Sequence, residues 1–303
     1  MPLHPQAQAF VDSLAEQDAP SWQELGPVKA REGFRALGEV FGSGPELPLV
    51  KDVVLDGDIS ARLYKSSDLS DLPVVVFFHG GGWVLGDVES HDALCRRLAS
   101  EAGIAVVSVD YDLAPENSFP GPMDQCYRAT SFISANGESL GVDSARLMVA
   151  GDSAGGNLAG AVAIRARDES GPAIDSQILI YPVISPDFDT GSYLEFADGH
   201  GLTRASMQWF WECYLAGAES LSKPLADLGR HDLAGLPPAL VITCEYDVLR
   251  DEGESYADRL KSSQVEVQWS RYEGMLHGFI HFASLFDDSD RAIKEVAAYI
   301  GSR

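Results

Sequence analysis

Short apolar runs alternate with segments of helical periodicity along most of this chain. Runs rich in β-branched residues and without polar alternation are typical of strands buried on both faces. The predicted strands are Val74–Phe78, Ile104–Val109, Arg146–Ala150, Gln177–Tyr181, Ala239–Thr243 and Val265–Trp269. The predicted helices are Ala93–Ala102, Met123–Ala135, Ala154–Arg167, Glu252–Leu260 and Arg291–Ile300. This pattern predicts an α/β fold in which helices cover both faces of a parallel sheet.

Three segments depart from the alternation. Leu49–Leu55 and Ile59–Tyr64 flank an Asp-Gly-Asp turn, which predicts an antiparallel hairpin at the sheet edge. Residues 1–45 are helical in pattern and form either a cap or a cover on the sheet. Residues 185–236 are too long for a simple connection, because such loops usually span roughly 2–6 residues. They predict a lid with an aromatic helix around residues 209–215, which mostly packs on the domain and offers one or two pocket contacts.

Composition restricts the class of partner. The chain has 303 residues, of which 45% are hydrophobic, and this is enough for one large core. Its 22 Lys and Arg against 46 Asp and Glu give a net charge of −24, which argues against binding to nucleic acid or to an anionic membrane surface. The four scattered cysteines are expected to be free thiols. Because no signal sequence or long apolar stretch is found, we expect a soluble, cytoplasmic protein.

The strongest motif is Gly-Asp-Ser-Ala-Gly at residues 151–155, which follows a predicted strand and begins a predicted helix. Small residues at Gly151 and Gly155 allow a sharp turn that exposes the hydroxyl of Ser153 at the strand end. The helix N-terminus adds positive potential where an oxyanion would form. The motif alone also fits an ordinary turn; the strand before it and the helix after it favour a nucleophile.

A second motif, His79-Gly80-Gly81-Gly82-Trp83, also follows a predicted strand. Consecutive glycines expose backbone N–H groups, so Gly81, Gly82 and Ala154 are candidate oxyanion-hole donors. A plain flexible loop and a phosphate-binding loop are the alternatives, although the lysine-containing phosphate-loop pattern is missing. His79 is interpreted as a hydrogen-bonding prop for the loop.

A serine nucleophile needs a base and an acidic group that orients the base. Asp247 comes just after a predicted buried strand and is therefore favoured as the acid. The rivals are Glu245, Asp251 and Glu252. Asp251 and Glu252 fit the first turn of the next helix, where carboxylates interact favourably with the helix dipole, and Glu245 is still close to the strand.

Two histidines follow the candidate acid. His277 lies in a loop after the strand Val265–Trp269 and is favoured as the base, whereas His281 is interpreted as a packing residue. The pair is spaced for a metal on one helix face, but the glutamate of the His-Glu-x-x-His motif is missing and Gly278 weakens a helix there. No metal site is expected.

Taken together, four blocks of sequence resemble the hormone-sensitive-lipase-like carboxylesterases, which are the bacterial family IV of the α/β-hydrolase fold. They are His79–Trp83, Gly151–Asn157, Asp247–Gly253 and His277–Phe279. The resemblance covers nearly the whole chain. It implies a mostly parallel central sheet of about eight strands flanked by helices, with a helical cap. It also implies that Ser153 is the nucleophile, that His277 is the base and that Asp247 is the acid that orients the base. The implied oxyanion donors are the N–H groups of Gly81, Gly82 and Ala154.

The same resemblance implies a division of the chain and an activity. Residues 1–45 would form the N-terminal part of the cap, 46–184 the first part of the catalytic core, 185–236 the cap insertion and 237–303 the second part of the core. The implied activity is hydrolysis of short- to medium-chain acyl esters, with a small-molecule ester as partner, no cofactor and frequent homodimerisation.

Substrate contacts are predicted on apolar side chains near these motifs, namely Trp83, Leu202, Trp209 and Leu276. An amidase or deacetylase using the same triad is the near alternative. A receptor that binds a small molecule without catalysis is the distant one, because here no catalytic residue is lost.

One position departs from the family pattern. Asp112 stands where the family usually has Arg, which removes a common ion-pair partner. Asp152 and Glu116 are interpreted as structural carboxylates.

Overall fold

The computed structural model describes residues 2–17, 19–216 and 224–303, and the eight strands in these ranges form one sheet. The strands are β1 (Leu49–Leu55), β2 (Ile59–Lys65), β3 (Leu72–Phe78), β4 (Ala105–Val109), β5 (Val142–Asp152), β6 (Ser176–Ile180), β7 (Ala239–Tyr246) and β8 (Val267–Leu276). Their order across the sheet is β1-β2-β4-β3-β5-β6-β7-β8. β2 is antiparallel to β1 and to β4, and the other neighbours are parallel. The predicted sheet of about eight mostly parallel strands is confirmed, with the hairpin at its edge.

Helices cover both faces of this sheet. They are α1 (Pro5–Gln17), α2 (Trp22–Phe41), α3 (Asp92–Ala102), α4 (Gly121–Leu140), α5 (Ala154–Asp168), α6 (Gly191–Glu195), α7 (Arg204–Leu215), α8 (Arg250–Ser262) and α9 (Asp287–Ile300). Because side chains alternate along a strand, Val74, Val76 and Phe78 of β3 join the core on the side of α4, α5 and α8. Val75 and Phe77 join the core on the side of α3 and α9. The unbroken apolar runs thus reflect burial on both faces.

The N-terminal helices and the long insertion meet each other. α6 and α7 lie between β6 and β7, within the insertion predicted as a lid. The Ser206 hydroxyl of α7 donates to the side chain of Gln23 in α2 at 3.2 Å. The division into cap and core stays a prediction. Within the described ranges, no helix is long and apolar enough to cross a membrane.

Arg31 attaches α2 to the core and is the ion-pair partner of Glu116. Its guanidinium binds both oxygens of Glu116, at 2.6 and 3.0 Å, and donates to the carbonyls of Val84 and Ala114 at 2.8 Å. Asp112 belongs to a different network, in which it accepts from the side chains of two polar neighbours, Asn117 and Gln125. Although Asp112 replaces the arginine that the family usually has, Glu116 still has a cationic partner, which is Arg31 of α2.

The prediction for the last strand was wrong at its C-terminal end. β8 begins at Val267 and continues to Leu276, whereas the apolar pattern placed it at Val265–Trp269. The second half of β8 contains Arg271, Glu273 and Gly274, so no continuous apolar run marks it in the sequence. Gly274, with φ of +72°, also resembles a strand end, but a register shift against β7 accommodates it. His277 consequently follows the strand directly.

Candidate active site

Ser153 occupies a sharp turn between β5 and α5. Its backbone has φ of +54° and ψ of −119°, a conformation that is strained for a residue with a side chain. A Cβ added at Gly155 would overlap the carbonyl of Phe78, and one added at Gly151 would overlap the backbone of Gly155. The two glycines are required because β3, the turn and α5 approach each other this closely. The strand–turn–helix arrangement predicted for this motif is confirmed.

Ser153, His277 and Asp247 form one hydrogen-bonded chain. The Nε2 atom of His277 lies 3.0 Å from the Oγ atom of Ser153, and its Nδ1 atom lies 2.7 Å from an oxygen of Asp247. Each residue directly follows a parallel strand, β5, β8 or β7, so all three meet at one edge of the sheet. A proton on Nδ1, assigned from its carboxylate partner, leaves the lone pair of Nε2 facing the hydroxyl.

The rival carboxylates have other partners. Glu245 accepts the N–H of Gly274 at 2.7 Å, and Asp251 accepts the N–H of Ser192 at 2.8 Å. Glu252 is buried and accepts the N–H of Ile184 at 3.0 Å, and burial raises its pKa well above the usual range. Of the four acids considered from the sequence, Asp247 is the one that contacts His277.

The glycine loop lies beside the serine with unpaired donors. Gly81 and Gly82 have φ of +110° and +61°, and the carbonyl of Gly81 accepts the N–H of Leu85 at 2.8 Å, which closes a tight turn. Within the part of the chain that the structure describes, the N–H groups of Gly81 and Gly82 have no protein acceptor. Ala154 is the first residue of α5, so its N–H has no acceptor within the helix. Unpaired donors of this kind can receive a developing negative charge.

Comparison with known proteins decides the family. The α/β-hydrolase fold family matches residues 75–281. The chain belongs to this α/β-hydrolase family. Carboxylesterase NlhH of Mycobacterium tuberculosis is 42% identical over 79% of this chain and 77% of its own. The resemblance to hormone-sensitive-lipase-like esterases is confirmed.

Solved structures agree with this assignment. A hyperthermophilic esterase from the archaeon Pyrobaculum calidifontis is 40% identical, with a TM-score of 0.95 over 100% of this chain and 99% of its own. A thermostable esterase from Pseudomonas putida is 37% identical, with a TM-score of 0.94 over 99% of this chain and 97% of its own. The fold of this α/β-hydrolase is therefore shared with esterases along its whole length.

His79 holds the glycine loop of this hydrolase in place through buried contacts. Its ring stacks on Tyr111 at 4.2 Å, and its Nδ1 atom lies 2.8 Å from the carbonyl of Gly80. Tyr111 donates its hydroxyl proton to the carbonyl of His79 at 2.7 Å. Burial, with the nearby ring of His91, lowers the pKa of His79 to about 4. The buried ring is therefore neutral at neutral pH.

We expect His79 to make the hydrolase less stable in acid. Its pKa is about 4 in the folded state and roughly 6.5 in an unfolded chain, so between these values the unfolded state binds more protons. The free energy of unfolding should fall as pH drops from 7 to 4, and this residue should contribute about 3 kcal/mol to the fall. Chemical denaturation across this pH range measures it.

A His79→Gln variant supplies the control, and the comparison uses the pH slope because the substitution also changes stability at neutral pH. The variant should have a shallower slope than the wild type between pH 4 and 7. Equal slopes, or an NMR titration of His79 with a midpoint near 6.5, would show that the ring is not held neutral by burial.

The predicted substrate contacts differ in exposure. Trp83 is fully buried and stacks on Tyr214 of α7 at 4.2 Å, and Leu276 is also buried. Leu202 and Trp209 are half-buried and pack against the core. The structure brings Trp83 and Trp209 to the region where the glycine loop meets α7; a role in substrate binding stays a prediction for all four.

Phe210 was missed as an individual residue by the sequence analysis. A Cβ added at Gly82 would overlap the ring of Phe210, so this ring of α7 lies directly on the candidate oxyanion loop. The sequence identified the aromatic helix but singled out Trp209 instead. Helical periodicity was the available signal, because the buried positions of α7 recur at Met207, Phe210, Trp211 and Tyr214.

Proposed function

We propose that this α/β-hydrolase is a carboxylesterase that cleaves short- to medium-chain acyl esters through a covalent intermediate on Ser153. The hydrogen-bonded chain from Ser153 through His277 to Asp247 carries the proposal. The chain is a hydrolase of carboxylic esters, as are NlhH and the esterases that share its fold. The chain length of the acyl group and the roles of individual residues are what we propose.

The geometry supports a two-step acyl transfer. Nε2 of His277 accepts the hydroxyl proton as Oγ of Ser153 attacks the ester carbonyl, and Asp247 stabilises the imidazolium that forms. The carbonyl electron pair moves onto the oxygen, which accepts hydrogen bonds from the N–H groups of Gly81, Gly82 and Ala154. Collapse of this intermediate expels the alcohol, which takes the proton from His277. Water then attacks the acyl-enzyme by the same route, and the acid leaves as Ser153 regains its proton.

Charge and burial support a neutral, apolar substrate. A net charge of −24 disfavours strongly anionic substrates through long-range repulsion. The apolar side chains of α7 that contact the glycine loop, among them Phe210, favour an aliphatic or aromatic substrate group over a charged one. We further propose that the enzyme acts in the cytoplasm on small-molecule esters and forms a homodimer.

A matched pair of substrates tests the proposal against the amidase alternative. We expect purified enzyme to hydrolyse p-nitrophenyl butyrate at neutral to mildly alkaline pH at least about 100-fold faster than p-nitrobutyranilide, because alcohol departure needs less help from the general acid than amine departure. Release of p-nitrophenol and p-nitroaniline is followed by absorbance. Faster cleavage of the anilide would favour an amidase, and a folded enzyme inactive on both would contradict the proposed function.

A further inference from the structure

A second hydrogen-bonded cluster lies directly behind the serine. Its centre is the carboxylate of Asp152, which is buried together with His91 and His281. One oxygen of Asp152 accepts the N–H of Gly80 at 2.9 Å and lies 3.3 Å from Nε2 of His91. The other oxygen lies 3.1 Å from Nε2 of His281. None of these side chains takes part in the hydrogen bonds that link Ser153, His277 and Asp247.

The two clusters join the same two segments of chain. Asp152 is the last residue of β5 and Ser153 follows it in the turn, and each binds one histidine of the segment that follows β8. His277 binds the serine, and His281, at the end of the 3-10 turn Phe279–His281, binds the aspartate. The distance between the base and the nucleophile is therefore fixed from two sides.

The same carboxylate also holds the start of the glycine loop. The N–H that it accepts belongs to Gly80, next to the candidate donor Gly81. A Cβ added at Gly80 would overlap the carboxylate of Asp152, so no larger residue fits between the loop and the serine turn. One side chain thus links the segments that carry the nucleophile, the base and the oxyanion donors.

Protonation is consistent with this arrangement. Burial opposes ionisation of Asp152, but the field of His91 and the hydrogen bonds of His281 and His91 outweigh it and hold the pKa of Asp152 well below the usual range. Burial lowers the pKa of His281, so its ring is neutral at neutral pH. A neutral ring beside a carboxylate donates from Nε2, and this assigns the tautomer of His281.

We propose that Asp152 and His281 are positioning residues that hold the base and the glycine loop in register with Ser153. The proposal rests on the proposed esterase function and deepens it. Neither residue touches the reacting atoms. Their effect comes from geometry, because a misplacement of about 1 Å at a reacting centre can cost a factor of about 10² in rate.

A buried metal ion is the competing interpretation of the same cluster. The ligand atoms of His91, Asp152 and His281 lie within 4.8 Å of one another, and two imidazoles with one carboxylate form a common metal-binding set. However, the carboxylate oxygens are already engaged by the N–H of Gly80 and by His281. The hydrogen-bonded network accounts for these contacts without an ion, so we argue for positioning and include the metal as an outcome of the test.

Two amide variants of His281 test the proposal. The amide nitrogen of His281→Gln can reach the position of Nε2, whereas the shorter side chain of His281→Asn cannot. We expect His281→Gln to stay within about threefold of wild-type kcat on p-nitrophenyl butyrate, and His281→Asn to lose about 10- to 100-fold in kcat with little change in KM. His231→Asn is the matched control, because within the described ranges Nε2 of His231 has no hydrogen-bond partner.

A second readout does not depend on turnover. The downfield proton NMR resonance of the His277 Nδ1–H, which reports its bond to Asp247, should shift or broaden in His281→Asn but not in His281→Gln or His231→Asn. If His281→Asn matches the wild type in both kcat and this resonance while folded, the positioning role is overturned. Loss of wild-type activity on chelation, with metal found by elemental analysis, would overturn it in favour of a metal site. An inactive wild type would contradict the esterase function, while the resonance would still test positioning.

Discussion

Replacing Ser153 with alanine is expected to lower kcat for p-nitrophenyl butyrate by a factor on the order of 10⁶. In the proposed mechanism the substitution removes the atom that forms the acyl bond, while the unpaired N–H groups beside it would still bind the substrate carbonyl. Residual turnover should therefore stay above the rate in water. Steady-state kinetics on folded protein, verified by circular dichroism and thermal unfolding, measures the loss.

The triad interpretation makes a sharper prediction for combined variants. Because the serine and the base act as one unit, Ser153→Ala with His277→Ala should be about as slow as Ser153→Ala alone. Asp247→Asn should lose about 10⁴ in kcat, because its amide favours the wrong tautomer of His277. Multiplicative losses in the double variant, or near-normal turnover of Ser153→Ala, would refute a shared mechanism.

The second large effect is expected at the glycine loop. Gly82→Ala should reduce kcat by about 10²–10³, the usual effect of losing one oxyanion donor. The added Cβ would overlap the ring of Phe210, so the loop must move and carry its N–H away from the serine. If the loss is caused by this overlap, Gly82→Ala with Phe210→Ala should recover part of the rate. Steady-state kinetics of Gly82→Ala, of Phe210→Ala and of the double variant measures both effects.

Gly57 provides a matched control for backbone strain. It has φ of +86° in the turn between β1 and β2, and a Cβ added there would meet nothing within 4 Å. Gly57→Ala should therefore cost some stability but leave kcat unchanged. Wild-type turnover in Gly82→Ala would show that the oxyanion donors lie elsewhere.

Much of the sheet could be predicted because burial on both faces leaves an unambiguous pattern. β3, β4 and β6 are continuous apolar runs, and their positions agree with the prediction to within two residues at either end. The end of β8 was missed because Arg271, Glu273 and Gly274 interrupt the apolar run in its second half. Local sequence thus identifies strands through their environment, and strands with a mixed environment are harder to define.

The part of the candidate site that follows the ends of strands was predictable from the sequence. Ser153, Asp247 and His277 each follow a parallel strand, so sequence order alone predicts that they meet. The contact of His281 with Asp152 was not predictable, because it depends on the 3-10 turn that brings one histidine back towards the serine turn. From the sequence, His281 was interpreted as a packing residue, and a buried histidine that contacts a carboxylate is packed in the core as well.

The contacts of Asp152 also set when the site can form during folding. They join residues 72 and 129 positions apart, and the contact of Ser153 with His277 spans 124 positions. Closing such long loops costs chain entropy that a short hairpin such as β1–β2 avoids. On the ribosome, no chain shorter than 281 residues can complete the cluster. During refolding, recovery of hydrolysis should therefore follow formation of the hairpin, so that enzymatic activity reports one of the last steps of folding.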